Sequence, residues 1–280
     1  MRNARGFTIV EILVVLIILS MVLAMAALVT RGVAAGQKRS ITTTRLTGVD
    51  AAIAQFVAVQ KRMPCPADGT LPSADANAGV ETAPDAVAGC NAQTNGVVPW
   101  RSLGLAEPDA TDGWERRMTY RTDPLLGKPN AMNMSMCDPA GTEVGATPRD
   151  CNTACTSTAL ATCTPPAAFV GGKGLKVKNV AGTVVMDPAA GTNTGAAYVV
   201  ISHGETGGGG YLNTGVLATS TTTDGTQEAN NYANLGIVAA TYYVDDSISD
   251  TAGNTHFDDI LSRPSVLGLV NKAGLGPRAH

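Results

Sequence analysis

A basic hexapeptide ending at Gly6 leads into Phe7, and the apolar run from Phe7 to Val29 holds a single carboxylate, Glu11. In a membrane helix an ionised carboxylate costs about 2.5–3.5 kcal/mol even on lenient insertion scales. A plain anchor gains nothing in return. Cleavage after Gly6 would change the balance, because Phe7 would then carry a new positive amine. The Glu11 carboxylate of one copy could pair with the Phe7 amine of a neighbour inside the apolar interior. A charge that is unfavourable in a monomer would then favour assembly and set the axial stagger between subunits.

Six cysteines form a second set with chemistry: Cys65, Cys90, Cys137, Cys151, Cys155 and Cys163. An even count, scattered through loop-like sequence after an apolar anchor, suits disulfides in an oxidising compartment. Zinc is the rival reading. Cys151-x3-Cys155-x7-Cys163 contains no C-x2-C pair, however, and the nearest histidine, His203, lies forty residues on. Fifteen pairings are open to six cysteines; proximity in sequence favours Cys65 with Cys90 and the other four among themselves.

Two further stretches invite an active-site reading. Ser202-His203-Gly204 precedes a glycine-rich run. Neighbours on a strand point to opposite faces, so Ser202 and His203 are not a nucleophile and its base. The run also lacks the Gly-Lys-Ser/Thr end of a phosphate loop. A structural turn is expected there. Asp245, Asp246 and Asp250, with Asp258 and Asp259 beyond them, could offer oxygens to Ca²⁺. Their spacing matches no EF-hand, and Asp109/Asp112-Gly113 is only a fragment of one. No other cofactor is expected. Trp100 and Trp114 read as core plugs in a chain with only 4% aromatic residues.

These residues need elements to position them. The run 7–29 is too long for a signal-peptide core and long enough to span a bilayer as a helix. Arg2 and Arg5 favour a cytoplasmic start, whereas Arg31, Lys38 and Arg39 follow on the other side. The cysteines place the remaining chain on the exported side. Helical periodicity continues at Leu46, Val49, Ile53, Phe56 and Val57. It should stop near Arg62, ahead of Pro64. A helix from Phe7 to Arg62 would be roughly 80 Å long, with Gly32, Gly36 and Gly48 as candidate bends. Half of it would be bare and half packed on a sheet.

Beyond the helix, residues 64–98 read as a long loop stapled by Cys65 and Cys90. Asp112-Gly113 is a turn signal, and Arg117 to Arg121 alternates like a strand. Residues 137–168 read as an irregular, cysteine-held insertion. Leu175–Val180 and Thr183–Met186 form an expected hairpin about Ala181-Gly182. Ala197–Ile201 and Leu235–Val244 are strand candidates. From Pro264 a short helix is expected, with Ser262 as its cap and Gly274 as its stop. The net charge of −3, with no basic run, argues against a general nucleic-acid binder.

Arg5-Gly6-Phe7-Thr8-Ile9-Val10-Glu11 resembles the prepilin signature of type IV pilins and type II secretion pseudopilins. That pattern has a short basic leader, Gly before the cut, Phe after it and Glu fifth in the mature chain. The resemblance implies cleavage between Gly6 and Phe7 by the inner-membrane prepilin peptidase, N-methylation of Phe7, and recruitment into a filament through Glu11. Asp109 to Trp114 followed by Met118-Thr-Tyr120 resembles a turn that feeds the first strand in pilin-like proteins, although Glu115 stands where that family usually has Gly. Ser202-His203-Gly204 and Phe257-Asp258-Asp259-Ile260 also resemble elements of such domains. Some pseudopilins hold Ca²⁺ in a C-terminal loop.

The expected fold is therefore α+β and pilin-like: a long N-terminal helix, half transmembrane, packed on an antiparallel sheet and stapled by disulfides. Its parts are a leader at 1–6, a membrane and assembly segment at 7–29, an amphipathic continuation at 30–62, and an exported body at 63–280. The expected role is a minor or specialised filament subunit rather than an enzyme. Its partners would be other pilin or pseudopilin subunits, the peptidase, the inner-membrane assembly platform and membrane lipid. It would start as a single-pass inner-membrane precursor with a periplasmic body and end in the pilus or pseudopilus. The alternative is a singly anchored periplasmic enzyme or binding module.

Overall fold

The computed structural model describes residues 9–90, 95–134, 172–189, 194–219, 225, 227–233, 242–249, 253 and 255–276. One helix, α1 (Ile9–Gln60), runs without a break for 52 residues, about 78 Å at the standard rise. It continues through Gly32, Gly36 and Gly48. The helix ends as expected ahead of Pro64. Lys61 takes a left-handed φ of 57°, and its N–H bonds back to the Val57 carbonyl at 2.8 Å.

The two halves of α1 have opposite environments. Large apolar side chains from Ile9 to Leu23 are all exposed, Ile9 by 84%. Leu46, Val49, Ile53, Ala54 and Val57 are buried in the main core, which they share with Val97, Tyr120, Tyr198, Val200, Val266, Leu269 and Val270. Phe56, expected on the same stripe, is only half-buried and carries the Arg62 guanidinium 5.1 Å from its ring centroid. Among the described residues no helix is long and apolar enough to cross a membrane, so the expected span at 7–29 stays a reading of the sequence.

The second half of α1 packs on a five-stranded sheet in the order β1 (Ala67–Asp68), β2 (Gly96–Val97), β3 (Thr119–Thr122), β6 (Tyr198–Ser202), β8 (Ile260–Ser262). All neighbouring pairs in it are antiparallel. A second sheet joins β5 (Val184–Met186), β4 (Lys176–Lys178) and β7 (Tyr242–Val244). The expected hairpin is its β4–β5 pair, but β4 and β7 run parallel. The expectation of a purely antiparallel fold therefore holds for the main sheet only. A parallel pair needs a long crossover between its strands, and the chain from β4 to β7 passes through the main sheet.

β6 is the centre of the body. All five of its residues are buried, because one face meets the core under α1 and the other, through Val199 and Ile201, meets a second cluster around Leu175, Val177 and Tyr243. A strand covered on both faces reads as a continuous apolar run, as Tyr198-Val-Val-Ile201 does.

Trp100 is a core plug as expected, 2% exposed, with the buried Arg117 guanidinium 4.9 Å from its ring centroid. Arg117 in turn pairs with Glu107 at 2.8 Å. The C-terminal helix, α3 (Val266–Lys272), is capped by Ser265, whose hydroxyl accepts from the Gly268 N–H. Ser262, the expected cap, lies instead in β8, and its hydroxyl donates to Asp50. Gly274 follows the helix with φ +70°, as a helix stop should.

The Cys65–Cys90 disulfide is present and closes a loop with a sequence separation of 25. The Arg62 guanidinium supports the same loop with two bonds to the Glu81 carboxylate, at 2.7 and 2.9 Å, and Glu81 also accepts the Cys65 N–H. Cys137, Cys151, Cys155, Cys163 and the insertion that holds them lie outside the described residues.

Candidate functional site

Gly6 and Phe7 lie outside the described residues. Glu11 is exposed in the first turn of α1. Around it, Ile9 to Leu23 present exposed apolar side chains. This is a far larger apolar surface than an isolated soluble domain tolerates, and such surfaces mark contact with protein or lipid.

A clasp holds α1 to the body where its buried half begins. The Asp112 carboxylate is buried and organises the turn after the short 3₁₀ helix Glu107–Ala110. Its Oδ1 accepts from the Trp114 and Arg116 N–H groups, both at 2.9 Å, and its Oδ2 accepts from the Ser202 hydroxyl at 2.9 Å. The turn then grips α1. Thr42 Oγ1 accepts from the Gly113 N–H at 2.9 Å, and Arg45 donates to the Asp112 carbonyl at 2.9 Å. Gly113 must be glycine, because a Cβ there would sit 2.3 Å from the Lys38 carbonyl oxygen. Glu115 takes a left-handed φ of 65°, a conformation that favours glycine.

Burial pushes the Asp112 carboxyl above its ordinary range, against the lowering effect of its hydrogen bonds to Arg116 and Ser202. Trp114 does not plug the core as expected. It is half-buried and lines a cleft with Ala34, Ala35, Lys38 and Glu205. The Asp112-Gly113 turn lies flat on the helix, so the next side chain is left at the seam rather than sent inward.

The Ser-His-Gly stretch is a buried turn. Ser202 serves Asp112, while His203 Nε2 lies 2.8 Å from Thr119 Oγ1 and its Nδ1 lies 3.6 Å from Asp259 Oδ1. The second distance is too long for a hydrogen bond, and among the described residues this nitrogen has no hydrogen-bond partner. Thr119, His203 and Asp259 have the composition of a hydroxyl–imidazole–carboxylate triad. Each is no more than 2% exposed, so no substrate reaches the threonine. Burial also pushes the Asp259 carboxyl up, opposed by His203 beside it.

The acidic residues divide among separate tasks. Asp245 forms an ion pair with Arg263. Asp246 accepts from the Val180 and Ser247 N–H groups, which hold its carboxyl below the ordinary range. Asp250 lies outside the described residues. Asp258 instead meets Glu228 and His256, a convergence the sequence reading did not anticipate. Burial and the neighbouring Glu228 push the Asp258 carboxyl up to about 6. The three residues are 28 and 30 positions apart from Glu228 onward, so no local spacing announces them.

No curated protein and no solved structure matches the chain. One family does: residues 1–27 match the prokaryotic N-terminal methylation motif. The N-terminus of this chain, from its basic leader through the bare apolar start of α1, thus carries the signature of type IV pilins and pseudopilins.

Proposed function

We propose that this chain is a structural subunit, minor or specialised, of a type IV pilus or a type II secretion pseudopilus. Prepilin peptidase cuts after Gly6, Phe7 is N-methylated, and Glu11 pairs with the Phe7 amine of a neighbouring copy during assembly. Before assembly the apolar segment at 7–29 holds the precursor in the inner membrane, with the body in the periplasm. An assembly platform then moves the subunit into the filament.

The observation that carries this reading is a coincidence. The methylation motif at residues 1–27 falls on the part of α1 whose apolar side chains have no cover from the body. The Cys65–Cys90 disulfide supports an oxidising compartment. The sealed Thr119–His203–Asp259 set supports a mechanical rather than a catalytic body.

The test is the mass of the N-terminal peptide of protein taken from its native membrane. A chain starting at methylated Phe7 is expected. A start at Met1 or Arg2 would overturn the filament reading and leave a singly anchored periplasmic module in its place.

A further inference from the structure

Glu228 lies just ahead of the short helix α2 (Ala229–Ala233), and His256 and Asp258 flank Phe257 on the approach to β8. One ligand atom from each lies within 4.8 Å of the other two. Glu228 and Asp258 are 2% and 3% exposed, and the His256 side chain is 15% exposed, with Nδ1 3.0 Å from Glu228 Oε2. Among the described residues no lysine or arginine pairs with either carboxylate. Two buried acids in contact repel unless a proton or a cation lies between them.

The backbone holds both acids in place. Glu228 Oε1 accepts from the Asp258 N–H at 2.7 Å and Oε2 from the Gly225 N–H at 3.1 Å. Asp258 Oδ2 accepts from the Glu205 and Thr206 N–H groups at 2.7 and 2.8 Å, and Oδ1 from the Thr206 hydroxyl at 3.0 Å. A metal's ligands are usually fixed by such outer hydrogen bonds.

We propose that Glu228, His256 and Asp258 form a divalent-cation site of the zinc class. An imidazole nitrogen with two carboxylates is a borderline donor set that suits Zn²⁺, whereas Ca²⁺ takes six to eight oxygens. Zinc bonds of about 2.0–2.2 Å place donors roughly 3–4 Å apart, which small side-chain movements reach from the present spread. The exposed edge at His256 leaves the fourth position to water. Zinc would tie the lead-in of α2 to the segment before β8 and, through Asp258, to the buried Ser-His-Gly turn. The site is independent of the filament reading, since nothing in it involves residues 1–29.

The full chain in detergent, stripped with chelator, is titrated with Zn²⁺ alone and, separately, with Ca²⁺ alone. The expected result is one zinc retained and, at a hundredfold excess over Kd, a rise in Tm of roughly 5–10 °C. His256→Asn should abolish that rise while its metal-free Tm stays near that of the parent. Glu228→Gln, which keeps one of the two backbone acceptors, should also abolish the rise. X-ray absorption at the zinc edge should show nitrogen and oxygen donors without sulfur. No retained zinc, equal retention by His256→Asn, a sulfur donor from the cysteines, or a response to Ca²⁺ alone would each overturn the site.

Discussion

The Tyr198 hydroxyl donates to Asp50 Oδ1 across 2.7 Å, and Ser262 donates to Oδ2 of the same carboxylate across 2.6 Å. One residue of α1 thereby holds two neighbouring strands, β6 and β8. Burial and the nearby Asp50 push the Tyr198 hydroxyl upward, so it remains a donor wherever the body is folded. Tyr198→Phe removes one charge-assisted bond and should cost about 1.5–3 kcal/mol, read as a lower urea midpoint with an unchanged m-value. A loss below about 0.5 kcal/mol would mean that water replaces the hydroxyl at no cost.

Gly113 and Glu115 should respond in opposite directions. Gly113→Ala drives a Cβ into the Lys38 carbonyl and should destabilise by about 1–3 kcal/mol, as overpacking does. Glu115→Gly relieves a left-handed non-glycine residue and should stabilise by up to about 1 kcal/mol, after the entropy cost of glycine. Thermal unfolding of the two variants side by side decides both. A stabilising Gly113→Ala would show that the helix moves away from the turn freely.

Asp112 gives a pH dependence with a defined sign. Its folded carboxyl is raised, so folding favours the protonated acid. That contribution is fully present below the unfolded value near 3.8 and is lost as pH rises through the folded value. Wild type should therefore lose stability relative to Asp112→Asn between acid and neutral pH. A difference that stays flat, or grows in favour of wild type as pH rises, would show that the Trp114, Arg116 and Ser202 donors outweigh burial.

The Cys65–Cys90 bridge closes a loop with a sequence separation of 25, which chain entropy values at about 3.5 kcal/mol. Cys65→Ser with Cys90→Ser should lower Tm by several degrees. Reduction of the parent should lower Tm at least as far as the double variant. If it lowers Tm much further, bridges among the other four cysteines also contribute.

Glu11→Ala should insert into the membrane and lose its leader normally, yet enter filaments poorly. Gly6→Ala should block processing and keep the precursor in the membrane. Both outcomes are read by immunoblotting sheared filaments against membranes. Normal filaments from Glu11→Ala would reject the carboxylate–amine pairing while leaving the methylation motif untouched.

Much of the body was legible because its signals are local. The Leu46, Val49, Ile53, Val57 spacing marks the buried stripe of α1, the Ala181-Gly182 turn marks the β4–β5 hairpin, and Tyr198 to Ile201 reads as a strand covered on both sides. The α3 cap was misplaced from Ser265 to Ser262 because β8 is only three residues long and half-buried. So short a strand leaves no periodicity, and nothing distinguishes a serine that pins a helix from one that caps another. Trp114 looked like core because aromatic residues are scarce, but the turn before it is flattened by contact with α1, a tertiary constraint. The meeting of Glu228 with His256 and Asp258 depends wholly on how distant segments fold back. Leu235–Val244 is seen as strand only at Tyr242–Val244, its earlier residues lying outside those described.

The continuity of α1 has a mechanical consequence. One unbroken rod of 52 residues carries both the bare apolar end and the stripe that forms the core of the body. A pull on that end runs along the rod and meets the body in shear. The Thr42 and Arg45 bonds to the 112–113 turn, the Asp50 bonds to two strands, and the buried stripe from Leu46 to Val57 all lie along the same line. They share the load together, instead of parting one after another as a peeled edge strand does. The Cys65–Cys90 loop follows the far end of the rod in sequence and folds back to give the main sheet its β1 strand, with Ala67 and Ala78 in the same core. The body should therefore resist tension along α1 far better than tension applied through its C-terminus.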